Sequence, residues 1–289
     1  MTSRRLDRLS WIRSLFFLDP LIWFYTIVLG TLSLSASLFD RGGRLQHGFA
    51  RFWSWLILKT LRPIGCSTRV TGLDHLSSPS PAVYAANHLS ALDIPMLYAN
   101  LPFQFRIMAK KELFRYPFMG WHLKRSGQIP IDRESARASM RSLNLAVQAL
   151  KGGMPLVVFP EGGRSPDGLV QPFMSGAFYV AIKAGVDVVP MALIGTREVL
   201  PMNSFHIRPG PMELIVGQPI STAGLVPRDM EALAVQVRKA VEALRDKALR
   251  NEDLRDNALR DNALRDKAQV IAIQKQDPLS PEASLPREP

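Results

Sequence analysis

Three short clusters in this 289-residue chain place reactive side chains at the ends of strand-like runs. In the first, Asn87 and His88 follow the apolar stretch Ala82–Ala86, and Asp93 stands five positions beyond the histidine. An imidazole and a carboxylate at a strand-to-helix junction are the parts of a general base. The imidazole takes the proton of an attacking hydroxyl, while the carboxylate fixes its tautomer and stabilises the imidazolium. A helix-capping Asp beside a chance His accounts for the same residues. On one continuous helix, residues five apart point about 140° from each other. A working pair therefore requires His88 in the loop and Asp93 in the first helical turn.

The second cluster is Pro160-Glu161-Gly162-Gly163-Arg164-Ser165, which follows the run Leu156–Phe159. A glycine pair after a strand exposes backbone N–H groups, and Arg164 adds a planar, permanently charged fork suited to phosphate. Glu161 on the other side of the glycines could grip a neighbouring hydroxyl; an ordinary surface turn has the same composition. The third cluster, Ile129-Pro130-Ile131-Asp132-Arg133, delivers an acid and Arg133 to a strand end just before a helix. Capping of that helix by Asp132 or Ser135 explains the acid and leaves Arg133 free. Lys110, followed by Lys111, extends the basic set or is simply solvated.

The chain contains no phosphate-binding Gly-rich loop with Lys, no GxGxxG, no metal-ligand cluster and no GxSxG elbow. Nucleotide-cofactor, metal and serine-hydrolase chemistry are disfavoured, and no cofactor is expected. The one cysteine, Cys66, forms no internal disulfide, suits a reducing compartment and has no His or Asp near it in sequence.

The elements that must position these clusters alternate. Strands are expected over Thr68–Thr71, Ala82–Ala86, Phe105–Ala109, Gln128–Ile131, Leu156–Phe159, Val188–Ile194 and Met212–Val216. Helices are expected over Ile94–Asn100, Glu112–Trp121, Ala136–Lys151, Phe173–Ala184 and Arg228–Leu249. In the third of these, Met140, Leu143, Val147 and Leu150 share one face and Gly152-Gly153 close the end. The alternation predicts an α/β domain whose sheet is mixed and largely parallel, with helices on its faces.

A different segment precedes it. The net charge is +11, and +7 of it falls in residues 1–70, which also hold four of the five Trp. Pro20 to Phe39 is a 20-residue run without a charge, long enough as a helix to match a bilayer core of about 30 Å. A second apolar-aromatic stretch, Phe49 to Leu61, follows a Gly-containing turn at Asp40–Arg44. A signal peptide, with Ser35-Ala36-Ser37 as its cleavage site, is disfavoured by the length of the run and by this second segment. Basic residues flank both ends of both segments, which favours a membrane-embedded helical hairpin entering from one side over a clean crossing. Basic residues interleaved with Trp suit an anionic membrane surface; no nucleic-acid partner is expected. The expected divisions are 1–64 for the anchor and 65–242 for the α/β domain. A five-residue Ala-Leu-Arg-Asp-type repeat then spans 243–267, and a proline-rich tail, expected to be disordered, spans 268–289.

Taken together, Asn87-His88 with Asp93, Gly127–Arg133, Phe159–Ser165 and Val189–Leu193 resemble the lysophosphatidate (1-acyl-sn-glycerol-3-phosphate) acyltransferase family of glycerolipid acyltransferases. The resemblance covers roughly residues 65–220. It implies that His88, oriented by Asp93, deprotonates the free hydroxyl of a lysophospholipid. That hydroxyl then attacks a fatty acyl thioester on coenzyme A or acyl carrier protein. It further implies that Arg133, Glu161, Gly162 and Arg164 hold the phosphate and glycerol end, with Asn87, Gly163 and Lys110 in the same substrate-binding set. The family usually has Thr where this chain has Gly163, so a hydroxyl donor there is lost. The implied partners are lysophosphatidate, the acyl donor and membrane phospholipids. The implied location is the inner (cytoplasmic) membrane with the catalytic domain facing the cytoplasm. Another lysolipid acceptor such as a lyso-ornithine lipid, a non-catalytic lipid-binding role and ester hydrolysis are the competing functions.

Overall fold

In the computed structural model, residues 9–40, 42–76, 81–116, 118–132 and 134–251 are described. Arg133 and most of the repeat and tail lie outside them. The chain divides into two compact units, Met1–Arg245 and Asp246–Pro289; everything below concerns the first.

The chain is already helical at residue 9, the first described, ahead of the uncharged run. A π-helical turn over Ser14–Leu18 leads into α1, Asp19–Ala36. Pro20 lacks an N–H and its ring crowds the preceding turn. The wider turn absorbs this, with the Asp19 N–H donating to the Ser14 carbonyl five residues back. The second helix, α2, runs from Arg44 to Leu61 and packs beside α1. Trp53 Nε1–H donates to Thr26 Oγ1 at 3.0 Å, so the two helices form a hairpin.

Seven strands make one sheet in the order β1-β7-β6-β2-β5-β3-β4. They are β1 (Cys66–Thr71), β2 (Val83–Ala86), β3 (Arg106–Lys110), β4 (Ile129–Ile131), β5 (Leu156–Val158), β6 (Val188–Ile194) and β7 (Gly210–Val216). Every pairing is parallel except β6 with β7. The middle strands β2, β5 and β6 are buried along their whole length, as expected where helices cover both faces of a parallel sheet. Because β6, β2, β5, β3 and β4 run the same way, the loops after them gather at one edge of the sheet.

The remaining helices are α3 (Asp93–Asn100), α4 (Met119–Arg125), α5 (Ala136–Lys151), α6 (Gly176–Ala184), the short α7 (Thr196–Val199) and α8, which begins at 230. Two sequence expectations need correction. Glu112–Trp121 is not one helix: a 3-10 turn over Lys111–Arg115 stops at Tyr116, which is extended at φ −69°, ψ 136°, and α4 starts afresh at Met119. A residue before proline is pushed out of the helical region, and Pro117 follows Tyr116. On α5 the buried stripe is Ala138, Ser142, Ala146, Val147, Ala149 and Leu150, while Met140 is exposed. Small side chains let this helix approach the sheet closely, so the face rotates toward them and away from Met140.

Candidate active site

Strand β2 ends at Ala86 and α3 begins at Asp93, so His88 stands in the loop and Asp93 opens the helix. The loop brings the two together: His88 Nδ1 lies 2.8 Å from Asp93 Oδ2. The same oxygen accepts the N–H groups of Leu89 at 2.6 Å and Ser90 at 2.9 Å. The partner of the imidazole and the cap of the loop are thus one carboxylate. Asp93 is wholly buried, and its other oxygen accepts Thr196 Oγ1–H at 2.5 Å. With Asp93 held as an acceptor on every side, Nδ1 carries the proton and Nε2 presents a lone pair. The His88 side chain keeps about a fifth of its surface open. Phe159, at the end of β5, stacks on the imidazole with ring centroids 4.1 Å apart and 22° between planes.

The Pro160–Ser165 loop grips His88 by its backbone. Glu161 Oε1 accepts the His88 N–H at 2.9 Å, and the Ser165 N–H donates to the His88 carbonyl at 2.7 Å. Gly162, Gly163 and Arg164 form the arc between these two anchors. Gly162 adopts φ 76°, in the left-handed region, which makes the turn. Among the described residues the N–H groups of Gly163 and Arg164 donate to no protein acceptor, and the Arg164 guanidinium makes no ion pair. The arc therefore offers two backbone donors and one cation beside the histidine. Burial pushes the Glu161 carboxyl up to about 7. The His88 and Gln171 N–H groups oppose this shift, and the negative charges of Asp93 and Asp167 add to it.

Residues 67–194 match the sequence model of the Acyltransferase family. This segment belongs to the acyltransferase family. The chain is 38% identical over 186 residues to the chloroplastic 1-acyl-sn-glycerol-3-phosphate acyltransferase of Arabidopsis thaliana, covering 63% of this chain and 51% of that protein. It is 32% identical over 187 residues to the 1-acyl-sn-glycerol-3-phosphate acyltransferase of Saccharomyces cerevisiae, covering 63% and 61%. The chain thus spans between half and two thirds of the length of these relatives. A crystal structure of the 1-acyl-sn-glycerophosphate acyltransferase of Thermotoga maritima shares the fold. It superposes with a TM-score of 0.66 at 24% identity, over 83% of this chain and 95% of that one.

Not every candidate of the acyltransferase domain faces the arc. Asn87 is fully buried and clips the neighbouring strand: its Nδ2 donates to the Leu193 carbonyl at 2.9 Å and its Oδ1 accepts the Leu193 N–H at 2.7 Å. That places it as a pin between β2 and β6 and away from a substrate. Glu161, expected to grip a hydroxyl, spends both oxygens on backbone, Oε2 accepting the Gln171 N–H at 3.3 Å. Lys110 ends β3 on the same edge with its side chain exposed. Lys111 pairs with Asp132 at 2.7 Å, and Ser135 rather than Asp132 caps α5 by accepting the Ala138 N–H at 3.2 Å. Two residues escaped the sequence reading. Phe159 looked like strand, and Thr196 lies 103 positions from Asp93. A signal for Thr196 was its place directly after β6 and Gly195, at the same sheet edge as His88. Gly195 has φ +78°, and a Cβ there would meet the Pro211 carbonyl oxygen.

Proposed function

We propose that this protein transfers a fatty acyl group from an acyl thioester, on coenzyme A or acyl carrier protein, to the sn-2 hydroxyl of 1-acyl-sn-glycerol-3-phosphate. The product is phosphatidic acid, for phospholipid biosynthesis. One observation carries the reading: His88 Nδ1 is committed to a buried carboxylate, so Nε2 is left as a base on the open side, beside the loop that carries Arg164, which makes no ion pair among the described residues. Nε2 accepts the hydroxyl proton as the oxygen bonds to the thioester carbonyl carbon. Collapse of the tetrahedral adduct breaks the C–S bond, and the imidazolium returns its proton to the departing thiolate. An acyl-enzyme is not required. Cys66 is buried, and its Sγ–H donates to the Arg208 carbonyl at 3.4 Å.

Arg164 and the N–H groups of Gly163 and Arg164 suit the phosphate of the acceptor, since a bidentate guanidinium and backbone donors match its oxygens. The names of the relatives, all 1-acyl-sn-glycerol-3-phosphate acyltransferases, favour this acceptor over another lysolipid.

The helix through α1, Leu9–Ala36, is long and apolar enough to cross a membrane, yet only 6% of its apolar window is buried in the fold. It is nonetheless fastened to the domain near both ends. Ser14 Oγ donates to the Ile207 carbonyl at 3.1 Å and accepts the Ile207 N–H at 3.0 Å, while Ser33 Oγ lies 3.1 Å from His122 Nδ1. These points are about 30 Å apart along the helix axis, so the helix runs along the domain. Its outward face carries Phe16, Phe17, Trp23, Phe24 and Ile27. This supports a hairpin embedded from one side of a membrane, which the proposal places as the inner (cytoplasmic) membrane with the catalytic domain in the cytoplasm.

The deciding assay supplies purified protein in detergent with labelled lysophosphatidate or lyso-ornithine lipid, and acyl-CoA or acyl carrier protein thioester. Diacyl product from lysophosphatidate is expected, falling by about 10²- to 10⁴-fold in His88→Ala. Free fatty acid without diacyl product, or transfer undiminished by His88→Ala, would sink the reading.

A further inference from the structure

We infer that Tyr116 and residues 118–121 form a second membrane contact, an aromatic wedge that enters the headgroup region of an anionic bilayer beside the anchor hairpin. The inference rests on reading α1 and α2 as a membrane anchor.

Tyr116, Phe118, Met119 and Trp121 are all exposed, Phe118 by 61% and Trp121 by 51%. Among the described residues, Phe118 and Trp121 touch no ring but each other, with centroids 5.2 Å apart. Two outward rings in water are a cost the fold does not recover. The backbone adds to it, because Phe118 sits at φ 58°, ψ −63°, a conformation that a bulky residue rarely adopts. Strain held at an exposed aromatic points to a use outside the core. Gly120 supplies the inward face: a Cβ there would come to 2.4 Å from the Phe114 carbonyl oxygen, so α4 is pressed onto the preceding turn and its other side must face out.

The partner is a lipid surface for two reasons. Tyr, Phe, Met and Trp are flanked by exposed Arg115, Lys124 and Arg125, the pairing of amphipathic rings with cations that suits an anionic interface. The patch also continues the anchor. His122 of α4 meets Ser33 of α1, and a Cβ on Gly43, at the hairpin turn, would lie 2.9 Å from the Ser126 carbonyl oxygen. Leu38 and Phe39, exposed by 70% and 88%, project from that same turn. The wedge follows β3 through one 3-10 turn, on the sheet edge that holds His88. Contact here would turn that edge toward the leaflet from which a lysolipid arrives.

The test labels single introduced thiols with an environment-sensitive fluorophore on the full chain; native Cys66 is buried and stays unlabelled. Probes at Phe118→Cys and Trp121→Cys are compared with Phe24→Cys on α1 and Val235→Cys on α8. Vesicles are phosphatidylcholine with about one third phosphatidylglycerol. Expected are a blue shift and quenching by headgroup-proximal spin-labelled lipid at 118, 121 and 24, and an aqueous signal at 235. Probes at 118 and 121 that stay aqueous while 24 enters lipid overturn the wedge alone. An aqueous signal at 24 as well overturns the anchor reading beneath it. An apolar signal at 118 and 121 without vesicles, with a doubled mass, assigns the face to a second copy and also overturns it. The double variant Phe118→Ser, Trp121→Ser should acylate vesicle-borne acceptor at least about threefold more slowly, with dispersed monomeric acceptor unaffected.

Discussion

The N–H of His88 donates to Oε1 of Glu161 at 2.9 Å, across the pairing of β2 with β5, and the Ser165 N–H returns a hydrogen bond to the His88 carbonyl. The loop that carries Arg164, with two backbone N–H groups that have no acceptor among the described residues, is therefore the same loop that sets where the imidazole stands. The proposed base and the proposed anion cradle are aligned as one piece. On the proposed function Glu161 would act through His88, as a positioning residue.

That division separates two substitutions. Glu161→Gln replaces one acceptor with an NH₂ facing a backbone N–H, so it should lower kcat about 10- to 100-fold with little change in the KM for acceptor. Arg164→Ala would remove the proposed charge-assisted contact to the acceptor phosphate and should raise that KM by about tenfold or more. Steady-state kinetics with lysophosphatidate as the varied substrate reads both. A KM effect confined to Glu161→Gln would return that carboxylate to the acceptor site.

Glu161 also sets a pH dependence of stability. Its carboxyl is raised from 4.5 to about 7 by burial, so the folded state holds a proton that the unfolded chain has released. The associated stability is complete below about 4.5 and is lost as pH rises through about 7. Thermal unfolding in detergent should show the wild type losing stability relative to Glu161→Gln across that window. A pH-independent difference between the two would contradict the assignment.

Asp93 holds four donors in a buried place. Asp93→Asn turns one acceptor into a donor and should cost about 2–3 kcal/mol of stability as well as most of the activity. Thr196→Val deletes a single hydrogen bond from the far oxygen; about 1 kcal/mol is expected, with a lower kcat and an unchanged acceptor KM. Chemical denaturation beside kinetics separates the two contributions.

Nothing lies within 4 Å of a Cβ built on Gly163. Gly163→Thr, the residue usual in the family, should therefore change stability by less than about 0.5 kcal/mol and leave transfer intact or faster. Gly195→Ala is the contrast: its Cβ would strike the Pro211 carbonyl in a left-handed backbone, and a loss above about 3 kcal/mol is expected. Melting curves of the two variants make the comparison.

The sequence alone determined the order and nature of the elements. Hydrophobic periodicity and capping are local properties, legible at Val188–Ile194 and Ala136–Lys151, whose bounds the structure repeats. The five-residue spacing likewise dictated that His88 must leave the helix for Asp93 to reach it. Local reading failed where a neighbour in space outweighed a neighbour in sequence. Close packing against the sheet left Met140 exposed; the break in Glu112–Trp121, by contrast, is local, at Tyr116 ahead of Pro117. The site's supports were decided only by the tertiary structure. Glu161 binds His88 over 73 positions, Asn87 pins Leu193 over 106 and Thr196 reaches Asp93 over 103. A motif names the residues at a strand end. Which strand ends lie side by side depends on the order β1-β7-β6-β2-β5-β3-β4, and that order is set by how the buried strands and the helices covering them pack together.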